Sequence, residues 1–305
     1  MTAPSLSVVV TFHNMVREAA RTLHTLSRGY QREIDDLAYE VIAIDSASTR
    51  PLPEADVCGM GDNFRYEYFQ TASVSPVEAA NRGVAHSTGE WVVVMVDGAH
   101  VLSPGVLAGF AAAGRAFGNP FIAAPPVHLG PGRQDRTAPA GYNQEQEDRL
   151  LGTIDWKADG YELFRVAGAP SDSSLGWFGC QFESNCFCLK RSAWQELGGF
   201  DARFQSRAGG LVNLDFFRRA VESPGLEYVL LLGEASFHQI HGWAPYPLRE
   251  FHQEYESIRG RPYDRPRRRP VYLGSLSQQS LPLTRVSANA GLAWWEQNPR
   301  MNLTK

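Results

Sequence analysis

Residues 91–100 read WVVVMVDGAH: an unbroken apolar run that stops abruptly on a carboxylate. A strand buried on both faces of a parallel sheet has this continuous apolar pattern, so residues 92–96 predict a central strand with Asp97 at its carboxyl end. In open α/β sheets the loops leaving those strand ends form the crevice in which ligands sit. A carboxylate at that point either forms the turn or holds the ligand.

Working outward, residues 5–12 (SLSVVVTF) form a β-branched run, and the following MVREAARTLHTLS brings Val16, Ala20, Leu23 and Leu26 round at helical spacing. Residues 39–44 (YEVIAI) predict a second buried strand, ended by Asp45, and residues 64–69 (FRYEYF) a third. Ser75-Pro76 opens a helix over 77–86, Ser103-Pro104 opens another through Phe117, and residues 121–127 read as a short strand. Strands alternating with helices predict βαβ units, right-handed crossovers and a mostly parallel sheet.

From 128 to 174 the periodicity fails in a Gly-, Pro- and Gln-rich stretch, expected to be a long functional loop. Order returns with a strand over 184–190, a short helix over 192–197 closed by Gly198-Gly199, an amphipathic helix over 211–222 and a strand over 228–232 that runs on to FHQIHG. A helix over 248–258 leads into a basic, proline-rich segment with six arginines between 259 and 269. Such a run is either a solvated surface or a set of guanidinium groups suited to phosphate oxygens.

The 305 residues, 43% of them hydrophobic, support a sizeable core, and a net charge of −4 excludes the dominant positive field that a nucleic-acid or anionic-membrane partner requires. No apolar run approaches the roughly 20 residues of a membrane span, and MTAPSLSVVV lacks the basic region and cleavage site of a signal peptide. A cytoplasmic protein without a transmembrane segment is expected. Cys58, Cys180, Cys186 and Cys188 form no C-x-x-C pair and read as small apolar residues rather than zinc ligands.

Four stretches, VVVTFHNMVREAARTLHTLS, YEVIAIDSAS, AANRGVAHSTGEWVVVMVDGA and LKRSAWQELGGFDARF, follow one another in the order found in family 2 glycosyltransferases, which the chain resembles over about three quarters of its length. The resemblance implies an α/β GT-A fold with a mostly parallel central sheet flanked by helices. It places the donor-binding half at 1–127, the acceptor and catalytic half at 128–250, and a C-terminal helix with an Arg/Pro-rich tail at 251–305. It also implies a nucleotide diphosphate-sugar donor, a glycan or small-molecule acceptor, and a divalent cation, Mn²⁺ or Mg²⁺.

By the same resemblance Thr11, His13 and Asp45 line the base and ribose pocket, and Asn81 and Arg82 cap the nucleoside. Asp45 as a turn-former and Arg82 as a solvated helix charge are the alternatives. Asp97 takes the first position of the family's Asp-x-Asp metal pattern, but Ala99 stands where the second carboxylate belongs, leaving His100 beside it. His238 and His241 are the further metal ligands expected from the FHQIHG segment, and imidazole donors favour Mn²⁺ over Mg²⁺. Gly198-Gly199-Phe200-Asp201 matches the family's GGFD turn. Val212 and Asn213 replace the Glu-Asp pair that carries the proton acceptor in the family, and asparagine is no base. Asp215 is then the expected catalytic residue, with Glu183 and Glu234 behind it and charge stabilisation of a helix N-terminus as its other reading. Trp177 and Phe178 are expected either to stack on the acceptor or to lie in the core.

The expected activity is metal-dependent, inverting transfer of a sugar to an acceptor hydroxyl or amine. Ala99 and Asn213 keep open a catalytically impaired protein that binds a nucleotide sugar or glycan. A nucleotidyltransferase is not indicated, because no Gly-rich loop with a following lysine occurs near residues 11–17; nor is a Rossmann oxidoreductase, because G-x-G-x-x-G is missing after the first strand.

Overall fold

Every residue of strand β1 (Leu6–Phe12) is buried, as its apolar run requires of a strand covered on both faces. The computed structural model describes residues 6–168, 176–178, 181–242 and 247–277. After β1 come α1 (Val16–Thr25), β2 (Tyr39–Ser46), α2 (Glu54–Cys58), β3 (Phe64–Phe69), α3 (Val77–Ala85), β4 (Trp91–Met95), β5 (His100–Leu102) and α4 (Val106–Ala116). Then follow β6 (Pro120–Ala123), β7 (Pro126–Leu129), α5 (Gln134–Thr137), α6 (Gln144–Leu151), a 3₁₀ turn over Gly160–Val166 and β8 (Ala167–Gly168). The remainder comprises β9 (Phe187–Lys190), α7 (Arg191–Glu196), α8 (Val212–Glu222), β10 (Glu227–Leu232), β11 (Ser236–His238), α9 (Leu248–Arg259) and β12 (Val271–Gly274).

Eight strands form the main sheet in the order β12-β10-β6-β9-β4-β1-β2-β3, with β9 antiparallel to its neighbours β4 and β6 and the other pairs parallel. The period-2 pleat divides the core between its faces. Val8, Val10, Val93 and Cys188 pack with Leu23 of α1 and Phe110 of α4. Val9, Val94, Phe187 and Leu189 pack on the opposite side with Val77 of α3 and Phe216 of α8. Cys186 and Cys188 are buried, Cys58 is exposed, and Cys180 lies outside the described residues.

The region after residue 120 departs from expectation. The strand expected over 121–127 is two strands: β6 completes the main sheet, and β7 enters a second, four-stranded sheet ordered β5-β11-β7-β8. Pro125 and Pro126, which offer no N–H to a ladder, stand where the chain changes sheets. The expected loop over 128–174 contains α5, α6 and the 3₁₀ turn; α6 starts with a capping box in which Asn143 and Gln146 satisfy each other's backbone N–H groups. The basic tail ends in an unpredicted edge strand, β12, paired with β10. No helix among the described residues is long and apolar enough to cross a membrane.

Candidate active site

Asp97 follows the end of β4, where the chain makes a tight turn around Gly98. A Cβ at Gly98 would sit 2.2 Å from the Phe12 ring and 2.7 Å from the Thr11 carbonyl, so the close approach to β1 excludes any other residue. The Asp97 carboxylate has two functions at once. Oδ1 accepts the Ala99 N–H at 2.8 Å and shapes the turn. Oδ2 projects outward, 3.1 Å from Nε2 of His241 and 3.3 Å from Nε2 of His238.

The second sheet brings the histidines to this carboxylate. Its register sets His238 of β11 against His100 of β5 on one side and against His128 of β7 on the other. The His100 and His238 rings stack with centroids 4.5 Å apart, and His128 lies 5.5 Å from His238. His100 Nδ1 hydrogen-bonds with Ser236 Oγ at 2.8 Å, whereas its buried Nε2 has no partner among the described residues. His241 follows three residues after His238, and their Nε2 atoms are 3.1 Å apart.

Asp97 Oδ2 and the two Nε2 atoms therefore make a triangle with edges of 3.1, 3.1 and 3.3 Å. Donors each about 2.1 Å from one cation, at tetrahedral to octahedral angles, stand about 3.0–3.4 Å apart. Donor atoms of Asp97, His100 and His238 also lie within 4.8 Å of one another. Burial would raise the Asp97 pKa, but His241 and His238 outweigh it and hold the carboxyl well below its usual range. Burial first, then the neighbouring His238, drives His100 far down and His128 to about 3, so both imidazoles are neutral, the form that ligates a metal. For His241 burial is outweighed by Asp97, which raises its pKa. Donor type, spacing and charge suit a divalent cation.

The loop between His238 and His241 is held from beneath. Gln239 Nε2 donates to the Glu18 carbonyl and to Thr22 Oγ1 of α1. The Ile240 N–H donates to Glu147 Oε2 of α6 at 2.6 Å. Glu147 is fully buried and pairs with Arg17 at 3.0 Å, and Arg17 also donates to the Ile240 carbonyl. Burial pushes the Glu147 carboxyl up to about 7 against the pull of the Ile240 N–H and Arg17. Sequence reading missed Glu147 and Gln239; the glutamine inside FHQIHG was the one available signal.

Thr11, His13 and Asp45 gather at the adjoining carboxyl ends of β1 and β2. Thr11 Oγ1 donates to the Val96 carbonyl at 2.5 Å, and His13, exposed, donates from Nδ1 to the Ser46 carbonyl at 2.7 Å. Asp45 is fully buried. Its Oδ1 accepts the Ser48 N–H, and its Oδ2 accepts the Leu52 N–H and the Tyr66 hydroxyl, so its oxygens order the loop after β2. Asn81 grips the GGFD turn from both sides: Nδ2 donates to the Phe200 carbonyl and Oδ1 accepts the Phe200 N–H, beside Gly198 and Gly199 at φ values of 77° and 62°. Arg82 pairs with Glu67 and lies over the Phe69 ring at 5.0 Å.

Four other expected residues lie in different surroundings. Asp215 is buried, its carboxylate clamped by both nitrogens of an Arg259 fork at 2.6 Å each and by Arg219 at 2.8 Å. Bonds from two guanidinium groups occupy both of its oxygens and make it an anchor between α8 and α9, with no oxygen left open to an acceptor hydroxyl. Trp177 packs in the core of the second sheet, 5.7 Å from Phe164, because its large apolar ring fills that layer; Phe178 is exposed and meets Tyr272 edge-on. Glu234 is engaged by Ser103, Tyr161 and the Gly105 N–H.

Residues 7–155 match the family described as Glycosyl transferase family 2. No curated protein is similar enough to the chain to count as a match. Among solved structures, the mannosyltransferase PcManGT from Pyrobaculum calidifontis, in complex with GDP-Man and Mn²⁺, is similar over 99% of this chain and 76% of its own, with 15% identity and a TM-score of 0.50. S. aureus TarS 1-349 in complex with UDP is similar over 98% of this chain and 73% of its own, with 15% identity and a TM-score of 0.51. At such identity the likeness shows the fold.

Proposed function

We propose that the chain, whose residues 7–155 match glycosyl transferase family 2 and whose fold is the GT-A fold, transfers a sugar, with inversion, from a nucleotide diphosphate-sugar to an acceptor hydroxyl or amine with the help of a divalent cation. The observation that carries this reading is the Asp97–His238–His241 donor triangle at the carboxyl edge of the main sheet, next to the ends of β1 and β2. A cation held there supplies positive charge that offsets the charge growing on the departing diphosphate. Two imidazoles and one carboxylate favour Mn²⁺ over Mg²⁺, which prefers an all-oxygen shell.

The protein's own groups supply the rest. Exposed His13 and the Asp45-ordered loop form the wall against which the nucleoside lies. Glu147 and Gln239 hold the histidine-bearing loop so that its donors stay aimed at Asp97. The ligands of the two similar structures, GDP-Man with Mn²⁺ and UDP, are of the class this edge would accept.

A second reading, a protein that binds a nucleotide sugar without transfer, draws on α8. Asn213 there bonds to Asn185, and Asp215 is clamped by arginines. Calorimetry with GDP or UDP and Mn²⁺, paired with an assay for nucleoside diphosphate released from the corresponding sugar, separates the two. Asp97→Asn, which keeps an oxygen for the Ala99 N–H, is expected to weaken Mn²⁺-dependent nucleotide binding at least tenfold with little change in melting temperature. Unchanged affinity in that variant would remove the basis for the site.

A further inference from the structure

We propose that Glu183, in the segment leading into β9, accepts the proton of the incoming acceptor hydroxyl. This assignment rests on the transfer activity proposed above and locates its base away from α8.

The strand direction brings Glu183 to the right edge. Strands β4 and β9 are antiparallel with Val94 opposite Phe187, so the segment leading into β9 lies at the carboxyl end of β4, the sheet edge that Asp97 follows. The segment is held firmly there. Ser184 Oγ donates to the Ala124 or Cys186 carbonyl, and Asn185 Oδ1 accepts from Asn213 of α8 at 3.1 Å. The Tyr263 hydroxyl donates to the Phe182 carbonyl, and Arg265 lies over the Phe182 ring at 4.2 Å.

The carboxylates described above for this part of the molecule are already engaged: Asp45 by its loop, Asp97 by its turn and the imidazoles, Glu147 by Ile240 and Arg17, Asp215 by two arginines, Glu234 by Ser103, Tyr161 and Gly105. Glu183 is half-buried, and its carboxylate has no hydrogen bond or ion pair among the described residues. The charged and titratable groups facing it are Arg133 and Asp135 from the α5 side and Tyr263 and Arg265 from the tail. Burial raises its pKa despite Arg133 and Arg265, bringing it closer to the operating range of a general base.

In the step, the Glu183 carboxylate takes the hydroxyl proton and the acceptor oxygen donates a lone pair to the anomeric carbon. The bond from that carbon to the diphosphate oxygen breaks, its electron pair leaving with the nucleoside diphosphate. Attack opposite the leaving group inverts the anomeric centre.

The test uses the full chain with Mn²⁺ and GDP-mannose or UDP-glucose, reading released nucleoside diphosphate, and measures GDP and UDP affinity in parallel. Glu183→Gln is expected to lower kcat by about 10²–10⁴-fold with nucleotide affinity retained, and added formate is expected to restore part of the rate to Glu183→Ala but none to Glu183→Gln. A structural role would show no formate rescue. Glu183→Gln with near wild-type kcat overturns the assignment and leaves the donor site standing. Wild-type protein that binds GDP or UDP with Mn²⁺ but releases neither from its sugar overturns it in favour of a binding protein. Loss of all Mn²⁺-dependent nucleotide binding in the wild type overturns the proposed function as a whole, and this assignment with it.

Discussion

At the scale of the residue, Asp97 and Asp215 carry the same group into different roles because their neighbours differ. The imidazoles around Asp97 are themselves metal donors, so the carboxylate and its neighbours can gather one cation together. The guanidinium groups around Asp215 are always charged and saturate it. Asp97 could be read from the sequence, because an apolar run ending on a carboxylate announces a strand end. The Asp215 clamp could not, because Arg259 lies 44 residues away. Asn81 is a similar case: it meets Phe200 across 119 residues, acting as a surrogate backbone for the Gly198-Gly199 turn. Asn81→Ala leaves a partly buried N–H and C=O unpaired, so a loss of about 1–3 kcal/mol in urea unfolding is expected. Nucleotide affinity should stay near wild type if the side chain serves the turn; a loss of affinity without a loss of stability would instead assign it to the nucleoside.

At the scale of the element, β1 to β4 and the helices α1, α3 and α4 were legible because each is long enough to show its period and to be buried by its own pattern. The second sheet was not. β5 and β11 are three residues each, β8 is two, and α5 is four, lengths at which tertiary packing and not periodicity decides the conformation. The consequence for the site is specific, since β11 carries His238 and the turn after it carries His241. Glu147, on α6, is what fixes that turn. Glu147→Ala removes the buried acceptor of the Ile240 N–H, while Arg17 keeps Glu18 and Asp148, a change expected to cost about 1–3 kcal/mol. By releasing the loop it should also weaken Mn²⁺ binding about 10–100-fold. Titration with Mn²⁺, followed by calorimetry on folded protein below its melting range, checks this; Mn²⁺ affinity equal to wild type would show that the loop keeps its shape without α6.

At the scale of the molecule, the arginine-rich tail ties distant parts together. Arg268 donates to the Val221 and Ser223 carbonyls, and Arg259, in the last turn of α9, bridges Asp215 of α8 and Asp201 of the GGFD turn. The sequence showed the charges but not their partners, and so left the run open between a solvated face and a phosphate clamp. The Arg203 hydrogen bond, opposed by burial and supported by Arg259, lowers the Asp201 carboxyl to about 2. Because the folded pKa is depressed, the folded state binds fewer protons than the unfolded chain, whose aspartate titrates near 3.9. This contribution is fully present above about pH 4 and is lost as pH falls through about 2. From pH 6 to pH 3 the lost part is about 0.5–1 kcal/mol after allowance for solvent screening of a partly exposed pair. Urea unfolding at the two pH values should therefore show the stability gap between wild type and Asp201→Asn narrowing by that amount at pH 3. A gap that stays constant would mean that Asp201 is not linked to folding, and that Asp215 alone anchors α9 to the rest of the fold.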